Sequence, residues 1–386
     1  MKQLLVIIHA FRDLFVRWLP NTKKDLYAFA FLVHPRGVED IYRKYPFFRF
    51  LPKKATVAFF KHFWPIVASK ITGLQSTKNH REVVGYVLGI TLTAKQMLEN
   101  RALAQKKIVQ AMRLAEKMGV KIVGLGALTS SVTRGGLDLI DKVNVNITTG
   151  HALTAHIVTS NLFKCSEIFG LRKENVIIAI VGATGSIGST TAQILARAGY
   201  NNFILVDLER KGHLFKDLVA DLVKLNRQAH ITIEHQIPSV KAADFIITAT
   251  NAPEAVVSAS DVKSGCIIIN DAQPSDVAED VYERDDVIVL EGGLIHTPGV
   301  HNNFNFGLHH RQDNYSCLGE ALVLASQEWS EHYVINRASL ALIDEIAGYA
   351  KKLGFHLAEF QNNKEIISKE KLSNVGAIMK KNNVQA

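Results

Sequence analysis

The stretch IAIVGATGSIGSTTAQIL, residues 178–195, constrains the fold more than any other part of the chain. An apolar β-branched run ends at Gly182, Gly185 and Gly188 follow at three-residue steps, and a helix-forming segment opens at once. A strand, turn and helix in that arrangement need each glycine. One makes the tight turn, one lets the backbone approach a pyrophosphate, and one lets the helix pack closely on its strand. Asp207 ends the next strand about 20 residues after the last glycine, where a ribose-binding carboxylate belongs.

The rest of the second half agrees with that turn. From residue 176 the runs VIIAIVG, FILVD, ITIEH, DFIIT, CIIIN and DVIVL alternate with segments of helical length such as RKGHLFKDLVADLVKLN. Short buried strands joined by helices predict a Rossmann-type doubly wound parallel sheet. Before residue 150 the runs LYAFAFLV, EVVGYVLGI and VKIVGLG surround an amphipathic helix expected over roughly 94–118, which predicts a second α/β domain. The expected fold class is therefore α/β, with two domains joined by interdomain helices at about 151–168 and from Cys317 to about 334. The expected boundaries are an N-terminal substrate domain over 1–150, a Rossmann domain over 151–335, and a C-terminal helix with a frayed basic tail over 336–386.

The candidate coenzyme residues are Gly182, Ala183, Thr184, Gly185, Ser186, Ile187, Gly188, Asp207, Arg210, Thr250 and Asn251. Asp207 disfavours a 2′-phosphate and leans towards NADH, whereas Arg210 and Lys211 would serve NADPH if their loop folds back. Both coenzymes stay open. The polar NAP, NDAQP and EGGLIHTPG segments follow three of the strands, and ligands of such sheets bind beyond the carboxyl ends of strands.

Composition excludes several classes. A chain of 386 residues with 47% apolar and 21% charged residues is neither disordered nor fibrous. Its net charge of +9 is spread out, with no DNA-reading module, and suits acidic partners: a carrier protein, phosphorylated cofactors or an anionic membrane surface. Three widely spaced cysteines, Cys165, Cys266 and Cys317, form neither a disulfide framework nor a zinc motif, so a reducing cytoplasm is expected. The hydrophobic start, MKQLLVIIHAFRDLFVRWLP, is broken by Arg12, Asp13 and Arg17 and reads as neither signal peptide nor membrane span.

Cys317 follows Asp313, Asn314 and Ser316, all good N-cap residues, so its sulfur is expected in the first turn of a helix. Lowering a thiol pKa from about 8.5 to about 6.5 raises the ionised fraction at pH 7 from roughly 3% to roughly 75%. The same helix end could hold an oxyanion, and His296, His309 or His310 could relay a proton. Cys165 and Cys266, inside helix and strand runs, read as packed thiols.

The stretch SCLGEALVLASQEW resembles the nucleophile helix of the long-chain fatty acyl-[acyl carrier protein] reductases, and VKIVGLGALTS, ITTGHALTAHIV, VGATGSIGS and EGGL fall in that family's order. The resemblance covers roughly residues 80–360 and extends more broadly to the shikimate-dehydrogenase-like two-domain architecture. It implies an NAD(P)H-dependent reduction of an acyl carrier protein or CoA thioester to a fatty aldehyde, with Cys317 accepting the acyl group. Thr149 and His151, with Thr129 and Ser130, would then line the substrate cleft beside His296. His151 stands where the family carries Asn, and Asp207 with Leu208 stands where an Arg is expected. The alternatives are a shikimate-like or amino-acid dehydrogenase without covalent catalysis, and a nucleotide-binding sensor.

Residues 47–67, FFRFLPKKATVAFFKHFWPIV, crowd aromatic side chains among basic ones. Burying a sixteen-carbon chain is worth on the order of 10 kcal/mol gross, which requires an apolar channel. This segment or the N-terminal stretch is the candidate for that channel, or for a surface that places the protein at the membrane periphery.

Overall fold

The computed structural model describes residues 26–303 and 306–385; the expectations for the N-terminal stretch lie outside them. The chain divides into two compact units. Unit 1 comprises Met1–Gly150, Thr297–Asn336 and Tyr349–Phe355, and unit 2 comprises His151–His296, Arg337–Gly348 and His356–Ala386. Residues 297–335, expected within the Rossmann domain, thus cluster largely with the N-terminal one.

Unit 1 runs β1 (Ala28–Val33), α1 (Val38–Lys44), α2 (Lys53–His62), β2 (Ile66–Gln75), β3 (Glu82–Gly89), α3 (Ala94–Glu99), α4 (Arg101–Lys117), β4 (Ile122–Leu125), α5 (Leu128–Ser131) and β5 (Asn146–Thr148). Strands β3, β1, β4 and β5 are mutually parallel neighbours; β2 joins β3 antiparallel, and the short strand His301–Asn302 pairs antiparallel with β2 at the edge. Side chains alternate across β1: Ala30 and Leu32 enter the core with Ile108 and Met112 of α4, leaving Phe29 and Phe31 for the other face. The single helix expected over 94–118 is two, because Asn100 leaves helical geometry (φ −136°, ψ 79°) and its side chain accepts from the amide of Leu103. An Asn that can cap a new helix competes with continuing the old one.

Unit 2 begins with α6 (His151–Phe169), then β6 (Ile177–Val181), α7 (Ser186–Arg197), β7 (Asn202–Val206), α8 (Phe215–Leu225), β8 (His230–Glu234), β9 (Phe245–Thr248), β10 (Ile267–Asn270), α9 (Glu279–Tyr282), β11 (Ile288–Glu291) and β12 (Leu294–His296). The order β11-β10-β9-β6-β7-β8 is wholly parallel and doubly wound, with β6 at the switch point. Alternation along β6 splits its core in two, Ile178 and Ile180 on one face, Ala179 and Val181 on the other.

The chain continues through β13 (His301–Asn302) and β14 (Asp313–Tyr315) to α10 (Ser316–Ser326), then α11 (Leu340–Lys352), β15 (His356–Leu357) and α12 (Lys369–Gln385). Helix α10 is shorter than expected: it stops at Ser326, where Trp329 N–H turns back to the carbonyl of Leu324 at 3.1 Å and Glu328 adopts φ +46°. It packs on β4 and β1 within unit 1, covering the face that presents Phe31, where a Cβ on Gly124 would lie 3.0 Å from Ala321 Cβ. The tail expected to fray is instead α12, with Val375 and Met379 fully buried in the unit 2 core alongside Phe360 and Ile367. Small amphipathic signals in a basic sequence hid that burial. Among the described residues no helix is long and apolar enough to cross a membrane.

Candidate active site

The β5–α6 turn and the start of α10 bring the thiol region together within unit 1. Tyr315, with extended backbone, is the N-cap of α10, and Cys317 is the second helical residue. The expected caps differ: Asp313 and Asn314 belong to β14, where Asn314 donates to the hydroxyl of Thr297 at 2.7 Å. Because the helix begins at Ser316, Asp313 and Asn314 lie two residues and one residue before its cap.

Gly150 presses its backbone against the thiol residue. It has φ +78°, and a Cβ there would lie 2.4 Å from Cys317 Cβ and 2.5 Å from its Cα. Only glycine meets both demands at low strain. Glu320, one helical turn beyond Cys317, is fully buried. Its Oε1 accepts from the hydroxyl of Thr148 and from the amide of Gly150, at 3.1 Å for the latter. This carboxylate therefore ties the turn carrying Gly150 to the helix carrying the thiol. Removing it would leave two buried donors unsatisfied, at about 1–3 kcal/mol each. Sequence reasoning passed over Glu320 as one polar residue in a helix; its signal was a carboxylate inside the apolar run LGEALVLA.

Thr149 is buried, its amide bonded to the carbonyl of Val334 at 3.1 Å, and its hydroxyl has no hydrogen-bond partner among the described residues. Cys317 is partly exposed, whereas Cys165 and Cys266 are sealed. Burial pushes the Cys165 thiol up to about 12 and raises Cys266 further, so neither is a nucleophile near neutrality. Thr129 donates to the carbonyl of Gly126 at 2.7 Å and, like Ser130, is buried in α5. His309 and His310 lie on the loop before β14. His151 is the first residue of α6, and His296 ends β12 with its ring 5.0 Å from that of His356, both in unit 2.

The glycine turn of unit 2 has the shape its sequence demands. Gly182 has φ +84°, and a Cβ on Gly188 would come within 2.3 Å of the Gly182 carbonyl oxygen. The amides of Gly182 and Ala183 bond the carbonyl of Val206 at 2.9 and 3.1 Å, seating the turn on β7. Gly185, Ser186 and Ile187, partly exposed, form the rim at the start of α7. The buried hydroxyl of Ser186 has no hydrogen-bond partner among the described residues, as expected of a group placed for a phosphate. The turn fits a dinucleotide.

Asp207 is less free than the sequence implied. One oxygen accepts from the Thr184 amide at 3.0 Å and from its hydroxyl, and the other pairs with Lys211 at 3.0 Å. Burial opposes its charge, yet the bonds from Thr184, Lys211 and the Leu208 amide hold its carboxyl below the usual range. The carboxylate thus braces the phosphate turn. Arg210 is exposed in the segment that follows. Beyond β9, Thr250 donates both its amide and hydroxyl to Asp276, at 3.0 and 2.5 Å, while Asn251 is exposed. Neighbouring Asp271 is pushed well above its ordinary value by burial and by the charges of Glu291 and Asp276. A further contact is Arg337, whose guanidinium donates to the Thr184 carbonyl at 3.2 Å. Its distance in sequence from the glycines concealed it.

The chain is similar to several known proteins. Residues 164–291 match the shikimate / quinate 5-dehydrogenase family. The chain is 24% identical over 295 residues to the aminotransferase PigE of Serratia sp., covering 75% of this chain and 34% of that protein. It therefore spans about a third of the length of that relative. It is 26% identical over 254 residues to the long-chain acyl-[acyl-carrier-protein] reductase of Synechococcus elongatus, covering 62% of this chain and 71% of the reductase. Shikimate 5-dehydrogenase from Listeria monocytogenes aligns over 84% of this chain and 96% of its own, with 10% identity and a TM-score of 0.36. Unit 2 of the chain has a Rossmann-type dinucleotide-binding fold, similar over residues 164–291 to the shikimate / quinate 5-dehydrogenase family, and NAD(P)H is the coenzyme it fits.

Proposed function

We propose that the protein reduces a long-chain fatty acyl thioester, carried by acyl carrier protein or CoA, to a fatty aldehyde through an acyl-Cys317 intermediate. The observation that carries this reading is the position of Cys317: partly exposed in the first turn of α10 against Gly150, unlike the two sealed cysteines. The similarity to the Synechococcus elongatus reductase supports the same chemistry.

The first-turn amides of an α-helix lack intrahelical acceptors, and its dipole favours negative charge there. Both stabilise a thiolate at Cys317. That thiolate attacks the thioester carbonyl; the bond from carbonyl carbon to carrier sulfur breaks, and the carrier thiol leaves with a proton. The hydroxyl of Thr149, buried one residue before Gly150, is the group we assign to the developing oxyanion. Gly182, Ala183, Thr184, Gly185, Ser186, Ile187 and Gly188 would hold the coenzyme, with Asp207 bracing their turn and Arg337 adding a cation. When bound, the reduced nicotinamide supplies the hydride that converts the acyl group to an aldehyde. Cys317 then departs as a thiolate, ready for the next acyl group. His151 and His296 are candidates for proton transfer. The chemistry suits the cytoplasm, where thiols stay reduced.

Mixing the protein with an acyl thioester without coenzyme is expected to add one acyl group, seen by intact mass, that Cys317→Ser does not acquire. Aldehyde formation by Cys317→Ser at the parent rate overturns the proposal. A dehydrogenase without covalent catalysis would keep its activity after iodoacetamide treatment, and this reading requires loss of it.

A further inference from the structure

The aromatic segment between α1 and β2 remains unused by the proposed reaction. Its inner side is a continuous stack: Phe48 packs at 5.0 Å from Phe60 and 5.4 Å from Phe59, and Phe59 at 5.4 Å from Phe63, between ring centroids. This stack closes a small core with Ile41, Tyr42, Tyr45 and Ile66. Its outer side is open. Phe50 is 91% exposed and Leu51 46%, Pro52 leads on from them exposed into α2, and on that helix Phe59 is 46% exposed.

Within the segment itself the charge beside that apolar tip is basic. Arg49, Lys53, Lys54 and Lys61 are all exposed, and residues 45–65 contain no Asp or Glu. The nearest carboxylates in sequence are already occupied, Asp40 by Arg36 and Arg43, and Glu39 by Lys53 across 3.3 Å of open surface. An ordered apolar tip ringed by exposed cations matches the interface of an anionic bilayer: rings enter the acyl boundary while ammonium groups meet lipid phosphates. The rigid ring stack beneath means that little ordering cost accompanies insertion.

We infer that Phe50, Leu51 and Phe59, with Arg49, Lys53, Lys54 and Lys61, form a docking surface for an anionic lipid membrane, on which the protein rests without crossing it. This inference is independent of the reaction proposed above.

Flotation of the full chain with phosphatidylcholine vesicles, with and without phosphatidylglycerol, tests it. Binding is expected only with phosphatidylglycerol and is expected to weaken as salt rises. Phe50→Ser with Leu51→Ser should lower partitioning at least about tenfold, and Lys53→Glu with Lys54→Glu should abolish the preference for anionic lipid. Both variants should keep coenzyme binding, which reports that they fold. In Phe50→Trp, added anionic vesicles should blue-shift the fluorescence gained over the parent protein. Unchanged partitioning of the serine variant, binding that disappears with deletion of residues 1–25 instead, or a tip that associates with acyl carrier protein or a second copy and not with vesicles would each overturn the inference.

Discussion

At the scale of the residue, Gly150 carries the sharpest constraint. Its left-handed backbone and its contact with Cys317 are separate demands, and alanine would violate both. Gly150→Ala should cut acyl transfer and Cys317 alkylation at least about 100-fold, since small displacements of a nucleophile are costly. Coenzyme affinity should be unchanged, and fluorescence titration alongside alkylation kinetics separates the two effects. His34 gives a pH dependence. Its Nδ1–H donates to the carbonyl of Pro35 at 3.1 Å, and its Nε2 accepts from the Leu128 amide at 3.3 Å, so the neutral ring is built into the fold. Burial lowers its pKa, outweighing the Pro35 carbonyl and Asp40, which act the other way. The unfolded chain therefore binds this proton first as pH falls. The stability due to His34 is whole above about 6.5 and lost progressively below it. Denaturant midpoints across that range should decline less for His34→Gln, which keeps a polar side chain without the titration.

At the scale of the element, the glycine turn was the most legible feature because its requirements are local. Three glycines, a strand and a helix are contiguous, and each glycine answers a backbone contact within that one stretch or with β7 and β9. Gly188→Val would drive side-chain atoms into the Gly182 carbonyl, whose oxygen lies only 2.3 Å from where the Cβ would stand. NAD(P)H affinity should fall at least about tenfold while alkylation of Cys317 persists, measured by coenzyme fluorescence and mass spectrometry. The breaks in helices were less legible. Asn100 could sit on the polar face of one long helix or cap a second, and nothing local in the pattern decides between them. The same holds for Asp313 and Asn314, good caps on composition, which β14 claimed for a strand. Glu320 shows the limit most clearly: its meaning depends on Thr148 and Gly150, some 170 residues earlier in the chain.

For the molecule as a whole, the two units are discontinuous in sequence. Unit 2 takes its last core contributions from the end of the chain, with Phe360, Ile367, Val375 and Met379 packed among the strands' Ile178, Ile180 and Ile269. A chain ending at Phe355 would lose four apolar side chains from that core, at about 2–4 kcal/mol each, which is comparable with the whole stability of a domain. Such a truncation should lose coenzyme binding and the corresponding thermal transition. If the shortened protein binds NAD(P)H as the full chain does, α12 is dispensable and its burial is incidental. The sequence by itself determined the α/β class, the doubly wound parallel sheet implied by the glycine turn, and which cysteine stands at a helix start, because these follow from spacing along single strands and helices. The tertiary structure alone decided that α10 belongs with the N-terminal sheet, that Asp207, its carboxylate taken up by Thr184 and Lys211, braces the glycine turn, and that Glu320 joins the thiol helix to Gly150. Those outcomes depend on which distant segments share a core, and hydrophobic periodicity says that a face is buried without saying against what.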